Sequence, residues 1–401
     1  MGNLNLAHVV QRSEPAPLTG SERYMLNLSK VLGKKHEVTI LTSNTRKSYV
    51  DPSCRLREKI TSLDGVRIRR FEILYPVSWL LRFLQIFHVS NELLDVLSSG
   101  PLVPGLYFHI RSATYDVVHA TPFPLVHVWI SWLATRRNRL PLVVTPFFHI
   151  PVPMYYNIYL RRILEDCDGV IAMTQMERNK LIELGAAPQR TFVVPLSIDL
   201  EEWKNANGER FKEKYGLERK KIVLYAAPKT LDKGAIQLLR AMNLIQKCFR
   251  DVILVAMGQP SRLWTAEKKW LHLENILDLK WLDGQEKRDA FDACDIFVMP
   301  SRTDAYGLVY LEAWVRGKPV IGADIGAIPN VINNGVDGFL VRFGDPIGLA
   351  QKITLLLQKP SLRQRLGSNG KERVLKQHGL NLMGERIEYV YEDSIRYNSC
   401  R

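Results

Sequence analysis

The sequence is poor in the features that mark secreted, zinc-binding or membrane-spanning proteins. Its five cysteines are scattered along the chain and include no CxxC pair. Neither a disulfide framework nor a zinc site is therefore predicted, and free thiols in a reducing compartment are expected. The N-terminal segment MGNLNLAHVVQRSEPAP has no basic region followed by an apolar one, so no signal peptide is predicted. The sequence also shows no low-complexity tract, and we expect a cytoplasmic protein.

Residues 117–135 form one segment without formal charge, over roughly the length needed to span a bilayer. However, Pro122 and Pro124 interrupt it, and His119 and His127 lie inside it. Because proline ends regular structure, the segment is predicted to be a short strand, DVVHA, followed by a loop and a buried helix, LVHVWISWLATRR.

The chain has 401 residues, of which 46% are hydrophobic and 24% charged. This composition is that of a soluble globular protein, and the length suits two domains of roughly 150–200 residues each.

Positive charge is the main compositional excess, with a net charge of +14. Residues 1–162 hold 20 Lys and Arg against 10 Asp and Glu, and the same region contains the apolar stretches 73–89 and 101–110. Its basic cluster consists of Arg136, Arg137 and Arg139.

Two interpretations of this region stay open, and a nucleic-acid partner is not expected. A basic surface beside apolar material suits peripheral contact with an anionic membrane. Alternatively, the charge is merely solvated and the apolar side chains, among them Trp79, Leu80, Leu81 and Phe83, belong to the core.

Short apolar strands alternate with longer helical stretches along most of the chain. Strands separated by helices imply parallel sheets, because a parallel pair needs a long crossover connection. We therefore predict an α/β fold with two doubly wound parallel sheets, divided near residues 193–203. Ligands are expected at the carboxyl ends of the strands.

Residues 299–345 are the most informative stretch. The strand DIFVM ends at Pro300, Asp304 and Gly307 follow, and a helix is predicted from Leu308. A helix N-terminus offers free N–H groups and a partial positive charge, which suit a phosphate. Glu312, one turn inside the helix, and Asp304 could contact two hydroxyl-bearing parts of one ligand. The alternative is that Asp304 only caps the helix and Glu312 is solvated.

MPSRTDAYGLVYLEAWVRGKPVIGADIGAIPNVINNGVDGFLV closely resembles the donor-site signature of retaining glycosyltransferase family 4. About a dozen positions agree in spacing. The resemblance implies the GT-B fold, with two Rossmann-like domains facing across a cleft. Residues 1–199 would then form the acceptor-binding domain, completed by a C-terminal helix over 381–401, and residues 200–380 the donor-binding domain.

The resemblance also implies roles for individual residues. Asp304 would contact hydroxyls of the donor sugar and Glu312 the nucleotide ribose. The first acid of the signature is usually Glu and here is Asp304, which is shorter by one methylene. The backbone of the intervening segment would contact the sugar at Ala305, Tyr306 and Gly307 and the diphosphate at Leu308 and Val309.

Weaker matches in the first domain point to Gly20, Ser21 and His149. The segment TGSERYMLNL resembles the family's Gly-Gly-x-Glu opening, with Thr19 in place of the first glycine. Gly20 would let the backbone approach the diphosphate or the acceptor. VVTPFFHIP resembles the strand and loop that carry a histidine in the cleft, where His149 could bond acceptor and donor. An ordinary turn glycine and an ordinary loop histidine are the alternatives.

AAPKTLDKGAIQLLRAM resembles the family's Gly-Arg…Lys-Gly phosphate clamp. Lys233 matches, but the usual arginine is missing, and Lys229 is the candidate for the second positive charge. Two nearby cations would stabilise a diphosphate leaving group. Gly258 stands where the family has a glycine beside the nucleotide, and KWLDG (280–284) occupies the loop that contacts the base.

The predicted function is hexosyl transfer with retention, from a UDP-, GDP- or ADP-sugar to a hydroxyl acceptor, which includes lipid-linked acceptors and cell-surface glycan precursors. Asp304, His149 and Lys233 are the predicted catalytic residues. No cofactor or metal is expected, because the sequence has no suitable DxD-like cluster and the lysines replace the cation.

A dinucleotide-dependent oxidoreductase is disfavoured, since GxGxxG after a strand is absent. A phosphorylase, an epimerase or a non-catalytic nucleotide-sugar-binding scaffold of the same fold are the alternatives.

Overall fold

The computed structural model describes residues 2–16, 20–46, 51–86, 92–149, 152–282 and 284–400. The chain folds into two compact units. The first comprises Met1–Leu196 together with Leu380–Arg401, and the second comprises Ser197–Gly379.

The strands follow the alternation expected from the sequence. In the first unit they are β1 Asn5–Val9, β2 Glu37–Ser43, β3 Ile60–Leu63, β4 Val66–Phe71, β5 Val117–Ala120, β6 Leu142–Val144, β7 Gly169–Ala172 and β8 Thr191–Val193. In the second they are β9 Lys221–Ala226, β10 Val252–Met257, β11 Ile276–Leu279, β12 Ile296–Met299, β13 Val320–Ala323 and β14 Gly338–Val341.

Helices connect these strands in both units. Those up to residue 196 are α1 Gly20–Leu32, α2 Tyr75–Ile86, α3 Glu92–Ser98, α4 Pro104–Ser112, α5 Val126–Asn138, α6 Ile158–Asp166 and α7 Gln175–Glu183. They continue as α8 Gly208–Tyr215, α9 Ala235–Gln246, α10 Arg262–Trp270, α11 Gly284–Ala293, α12 Leu308–Val315, α13 Pro346–Gln358, α14 Pro360–Gln377 and α15 Leu380–Ser399.

The sheet of the first unit has the strand order β3-β4-β2-β1-β5-β6-β7-β8. Its pairs are parallel except β3 with β4, which form an antiparallel pair at one edge. The central strands are apolar on both faces because helices cover both sides of a parallel sheet. The predicted strand–loop–helix over 117–135 is confirmed, since β5 and α5 occupy it and all four residues of β5 are buried.

The last helix, α15, packs on the first unit against α1 and the ends of β6 and β7. A buried polar network fixes it there. The Tyr391 hydroxyl lies 2.7 Å from His119 Nδ1 and 3.0 Å from His8 Nε2. His119 Nε2 in turn lies 2.7 Å from Thr145 Oγ1. The network therefore joins α15 to three regions that are distant in sequence.

The sheet of the second unit has the order β11-β10-β9-β12-β13-β14, and all of its pairs are parallel. Strands β9 and β12 are neighbours in space although two βα units separate them in sequence. The chain reverses its direction of winding at this pair, and such a switch point is where doubly wound sheets bind ligands.

Candidate active site

Two loops meet at the switch point of the second unit, residues 227–234 after β9 and residues 300–307 after β12. Gly234 has φ +72°, and a Cβ there would lie 2.2 Å from the carbonyl oxygen of Pro300, so only glycine fits. The Arg302 N–H also donates to the Asp232 carbonyl at 2.9 Å. Close backbone contact therefore holds the two loops together.

Lys233 and Asp304 form an ion pair between these loops, with Lys233 Nζ 2.9 Å from Asp304 Oδ1. Both side chains are about four-fifths buried, at 19% and 20% exposure. The other carboxylate oxygen, Asp304 Oδ2, is buried and has no hydrogen-bond partner among the described residues. Buried carboxylate oxygens normally accept hydrogen bonds, so this atom has unused capacity for a donor such as a hydroxyl.

Gly307 and Tyr310 set the start of α12. Gly307 has φ +87°, and a Cβ there would lie 2.5 Å from the Tyr310 ring. The Tyr310 hydroxyl donates to the Met299 carbonyl at 2.6 Å, which ties the helix to the end of β12. The N–H groups of Leu308 and Val309 belong to the first turn, which has no intrahelical acceptors and suits an anion. Ala305 and Tyr306, in the loop before the helix, are buried.

Asp304 does not cap this helix, because the N-cap residue is Gly307 and no side chain bonds the cap. Glu312 is not solvated either, since its side chain is buried within α12. Its Oε1 accepts from Lys287 Nζ at 2.5 Å, and its Oε2 is buried without a partner among the described residues. The two acids therefore share one arrangement, with one oxygen bonded to a lysine and the other unused.

Lys229, the candidate for the second cation, is buried and has its own partners in the second unit. Its side chain is 1% exposed, and its ammonium donates to Asp278 Oδ1 at 2.6 Å and to the Leu279 carbonyl at 2.5 Å. Trp264 lies beside it, with Nζ 5.6 Å from the ring centroid, and donates to Asp278 Oδ2 at 3.0 Å. Burial lowers the pKa of Lys229, and its bond to Asp278 opposes that shift. This ammonium is therefore already paired inside the second unit, and its role as a second cation for the diphosphate stays a prediction.

Gly258 ends β10 with φ +137°, and a Cβ there would lie 2.0 Å from the Ala227 carbonyl oxygen. The glycine lets the loop after β9 pass close to β10. In the predicted base-contacting loop, Trp281 is exposed, and Asp283 lies outside the described residues.

The residues predicted in the first unit lie on two separate elements. Gly20 begins α1 and Ser21 follows it in the first turn, while Thr19 lies outside the described residues. The neighbouring Glu22 is buried and accepts from Arg12 Nε at 2.8 Å. His149 lies in the loop after β6, half-buried, with its ring centroid 5.5 Å from that of Tyr155.

Three residues that bond the candidate site residues or their loops were not predicted from the sequence. Lys287 and Asp278 reach Glu312 and Lys229 across 25 and 49 positions, and no local pattern reveals such pairs. Glu177, which bonds the loop of His149, carries a local signal. The spacing Thr174-x-x-Glu177 at the start of a predicted helix is that of a capping box.

Among the described residues, no group of three or more His, Cys, Asp or Glu side chains is arranged to hold a metal ion. None of the helices in the described ranges has both the length and the apolar character needed to cross a bilayer.

Two units built on largely parallel sheets are the architecture of the GT-B fold, and solved structures with this fold match the chain. Among solved structures, Anabaena HepE in complex with UDP and glucose matches with a TM-score of 0.76 and 17% identity, over 97% of this chain and 100% of that one. A glycosyltransferase from Rickettsia africae matches with a TM-score of 0.73 and 20% identity, over 99% and 100%. At these identities the likeness concerns the fold, and it confirms the predicted fold class.

The chain belongs to the family 4 and group 1 glycosyltransferases. Residues 18–202 match the family model described as Glycosyltransferase Family 4, and residues 207–373 match Glycosyl transferases group 1. The curated relatives include D-inositol 3-phosphate glycosyltransferase of Streptomyces bingchenggensis. It is 27% identical over 331 residues, which cover 73% of this chain and 70% of the relative.

Proposed function

We propose that this glycosyltransferase moves a hexose from a nucleotide-diphosphate sugar to a hydroxyl acceptor with retention of configuration and without a metal. The observation that carries the proposal is the shared arrangement of Asp304 and Glu312. Each carboxylate is held by one lysine and keeps a second, buried oxygen that has no partner among the residues the structure describes. Two such acceptors on either side of a helix N-terminus suit a ligand with hydroxyl groups on both sides of a diphosphate.

The two acids divide the donor between them in this proposal. Asp304 accepts hydroxyls of the sugar, helped by the backbone of Ala305 to Gly307, and Glu312 accepts a ribose hydroxyl. Lys287 and Lys233 hold the carboxylates in the orientation that the ligand needs. A carboxylate is a strong acceptor for a hydroxyl hydrogen bond.

Departure of the nucleoside diphosphate is the step with the largest electrostatic demand. The bond between the anomeric carbon and the phosphate oxygen breaks, and the acceptor oxygen bonds to the same face of the sugar. The acceptor's proton passes to the leaving phosphate. Lys233 and the N–H groups of Leu308 and Val309 stabilise the developing negative charge, and His149 contacts the acceptor. With Lys229 paired to Asp278, Lys233 is the lysine assigned to the phosphate.

A thermal-shift screen over UDP-, GDP- and ADP-sugars tests the proposal. HepE was crystallised with UDP and with UDP-glucose, so UDP-sugars are the first to try. A ligand at 100 times its Kd should stabilise the fold by about 2.7 kcal/mol. Sugar transfer by the stabilising donor should then be measured against phosphate-dependent turnover and isomerisation without an acceptor. These two activities identify a phosphorylase and an epimerase, and binding without any turnover identifies a scaffold.

A second proposal is that the first unit docks peripherally on an anionic membrane, which would place a lipid-linked acceptor at the cytoplasmic face. Three apolar side chains of α2 favour it, since Trp79, Leu80 and Phe83 are 58%, 50% and 42% exposed. The rings of Trp79 and Phe83 stack at 5.5 Å. These three side chains are therefore not core residues, although residues 87–89 of the predicted stretch lie outside the described ones.

A further inference from the structure

We infer that Glu177 is a positioning residue, which holds the loop after β6 so that His149 is presented to the acceptor. The inference rests on the proposed function, because it takes the role of His149 from there. Glu177 lies in the first turn of α7, and its side chain is fully buried.

The carboxylate of Glu177 joins two backbone segments. Its Oε1 accepts from the Phe148 N–H at 2.8 Å, and its Oε2 accepts from the Met173 N–H at 2.6 Å. Met173 directly follows β7, and Phe148 directly precedes His149. One side chain therefore fixes the residue before His149 relative to the end of the neighbouring strand.

The loop has a backbone conformation that needs such support. Phe147 has φ +52°, which is unfavourable for a residue with a side chain. Its ring meets that of Tyr24 edge-on at 5.2 Å, and the Phe148 ring meets that of Tyr155 at 5.0 Å. The rings fill space around the loop, whereas the bond from Glu177 sets the direction of its backbone.

A purely helix-stabilising role would explain only part of this geometry. Thr174 is the N-cap of α7 and accepts from the Glu177 N–H at 3.1 Å, as in a capping box. In that motif the glutamate returns to the N-cap backbone of its own helix. The bond to Phe148, 29 positions away, lies outside the motif and gives the carboxylate its second task.

The test compares Glu177→Gln with two controls. Gln has the same size, but an NH2 donor replaces one of the two oxygens, so only one of the two N–H groups keeps an acceptor in its place. Thr174→Ala removes the helix cap and leaves the bond to Phe148 in place. Asp168→Asn alters another buried carboxylate, which accepts from the Leu142 N–H at 2.9 Å at the opposite end of β6.

Amide hydrogen exchange is the first readout, since it needs no substrate. Glu177→Gln should speed exchange at Phe148 at least tenfold, while both controls leave Phe148 within twofold of wild type. Equal exchange at Phe148 in Glu177→Gln and wild type would overturn the inference. If Glu177→Gln does not fold, Glu177→Asp, with a carboxylate one methylene shorter, is compared in the same way.

Kinetics with the donor found by the thermal-shift screen give the second readout. Glu177→Gln should lower kcat for transfer about 10²-fold, the size of a small misplacement in an active site, with the donor KM within twofold. An equal fall in kcat for Thr174→Ala would show a merely structural role and overturn the inference. Absence of transfer in the wild type contradicts the proposed function alone, because the exchange experiment still decides whether Glu177 holds the loop.

Discussion

At the scale of single residues, the candidate site depends on lysines that neutralise carboxylates without using all of their acceptor capacity. Lys233 lies on the loop after β9 and Lys287 on α11, and each bonds one oxygen of an acid near α12. A buried carboxylate without such a partner costs free energy, because it has lost the hydrogen bonds of water. Each lysine therefore has a role before any ligand arrives.

Replacing Lys233 by Ala should lower transfer roughly 10²–10³-fold, the effect of removing one preorganised charge-stabilising group. The variant loses a cation for the leaving diphosphate and also leaves Asp304 without its partner. Initial rates with the donor identified by thermal shift provide the measurement. Lys204→Ala, at an exposed lysine paired with Glu201, is the control and should be neutral. Activity of Lys233→Ala within twofold of wild type would show that the lysine is not needed for transfer.

Asp304→Asn should impair recognition of the sugar, whereas Glu312→Gln should weaken binding of the nucleotide itself. The reason is that each variant removes the negative charge from one of the two carboxylates with an unused oxygen. Titration calorimetry with UDP, and then with the UDP-sugar, separates the two effects. Asp304→Asn should bind UDP within about threefold of wild type, and Glu312→Gln should lose about tenfold, as expected for a bond to a charged group. Equal losses of UDP affinity would contradict this division.

The sequence revealed these acids because strand end, glycine and helix start follow one another within a few positions. It did not reveal their lysines, since Lys287 and Glu312 meet only through the packing of α11 on α12. Lys229 also has partners that the sequence did not reveal. The position was interpreted from its charge and its neighbours in sequence, but burial beside Trp264 and Asp278 decides where its ammonium points.

At the scale of elements, the order of strands and helices was predictable and the pairing at one edge was not. Strands β1, β2 and β5 are apolar runs that the sequence shows plainly. Strand β3 has no buried residue, and arginines occupy half of β4, so no strand was predicted there. They form the antiparallel edge of an otherwise parallel sheet, where one face of a strand can meet water.

Two buried histidines of the first unit, His8 in the network under α15 and His127 on α5, predict how stability depends on pH. Burial first, and then the charge of His36, lowers the pKa of His8 to about 3, and burial lowers that of His127 to about 4. In the unfolded chain these groups titrate near 6.5, so between that value and the folded pKa only the unfolded chain is protonated. The stability of the folded chain that depends on these histidines being neutral is therefore fully present above pH 6.5, and it is lost as the pH falls.

Each of these histidines should lower the free energy of unfolding by about 1.4 kcal/mol for every pH unit below 6.5. Urea unfolding at pH 7.0, 6.0 and 5.0 measures how the free energy of unfolding changes with pH. The buffers should have matched ionic strength, so that screening is the same throughout. His8→Gln, which cannot take up the proton, should show a shallower slope than the wild type. Equal slopes for the two proteins would mean that His8 is already protonated in the folded chain.

At the scale of the whole molecule, charge and exposed apolar surface occur together in the first unit. Each basic residue near an anionic surface contributes about 1 kcal/mol, and exposed aromatic side chains add the free energy of their burial. Arg136 is about half exposed and lies 3.0 Å from Asp166, so part of its charge is already paired. In the proposed docking on a membrane, the apolar side chains of α2 must therefore supply part of the binding.

Co-sedimentation with vesicles separates a docking surface from a solvated one. Wild-type protein should bind vesicles that contain anionic lipid, and binding should weaken as the salt concentration rises, because the attraction is screened.

The double variant Trp79→Ser, Phe83→Ser should bind at least tenfold more weakly, since two exposed rings no longer enter the lipid. Reversing the charge of Arg136, Arg137 and Arg139 to Glu should also reduce binding. Trp270→Ser is the matched control, because that ring is 73% exposed but belongs to the second unit, and it should bind like the wild type. If the wild type does not sediment with anionic vesicles at low salt, α2 does not dock on lipid, and the acceptor is then to be sought among soluble hydroxyl compounds.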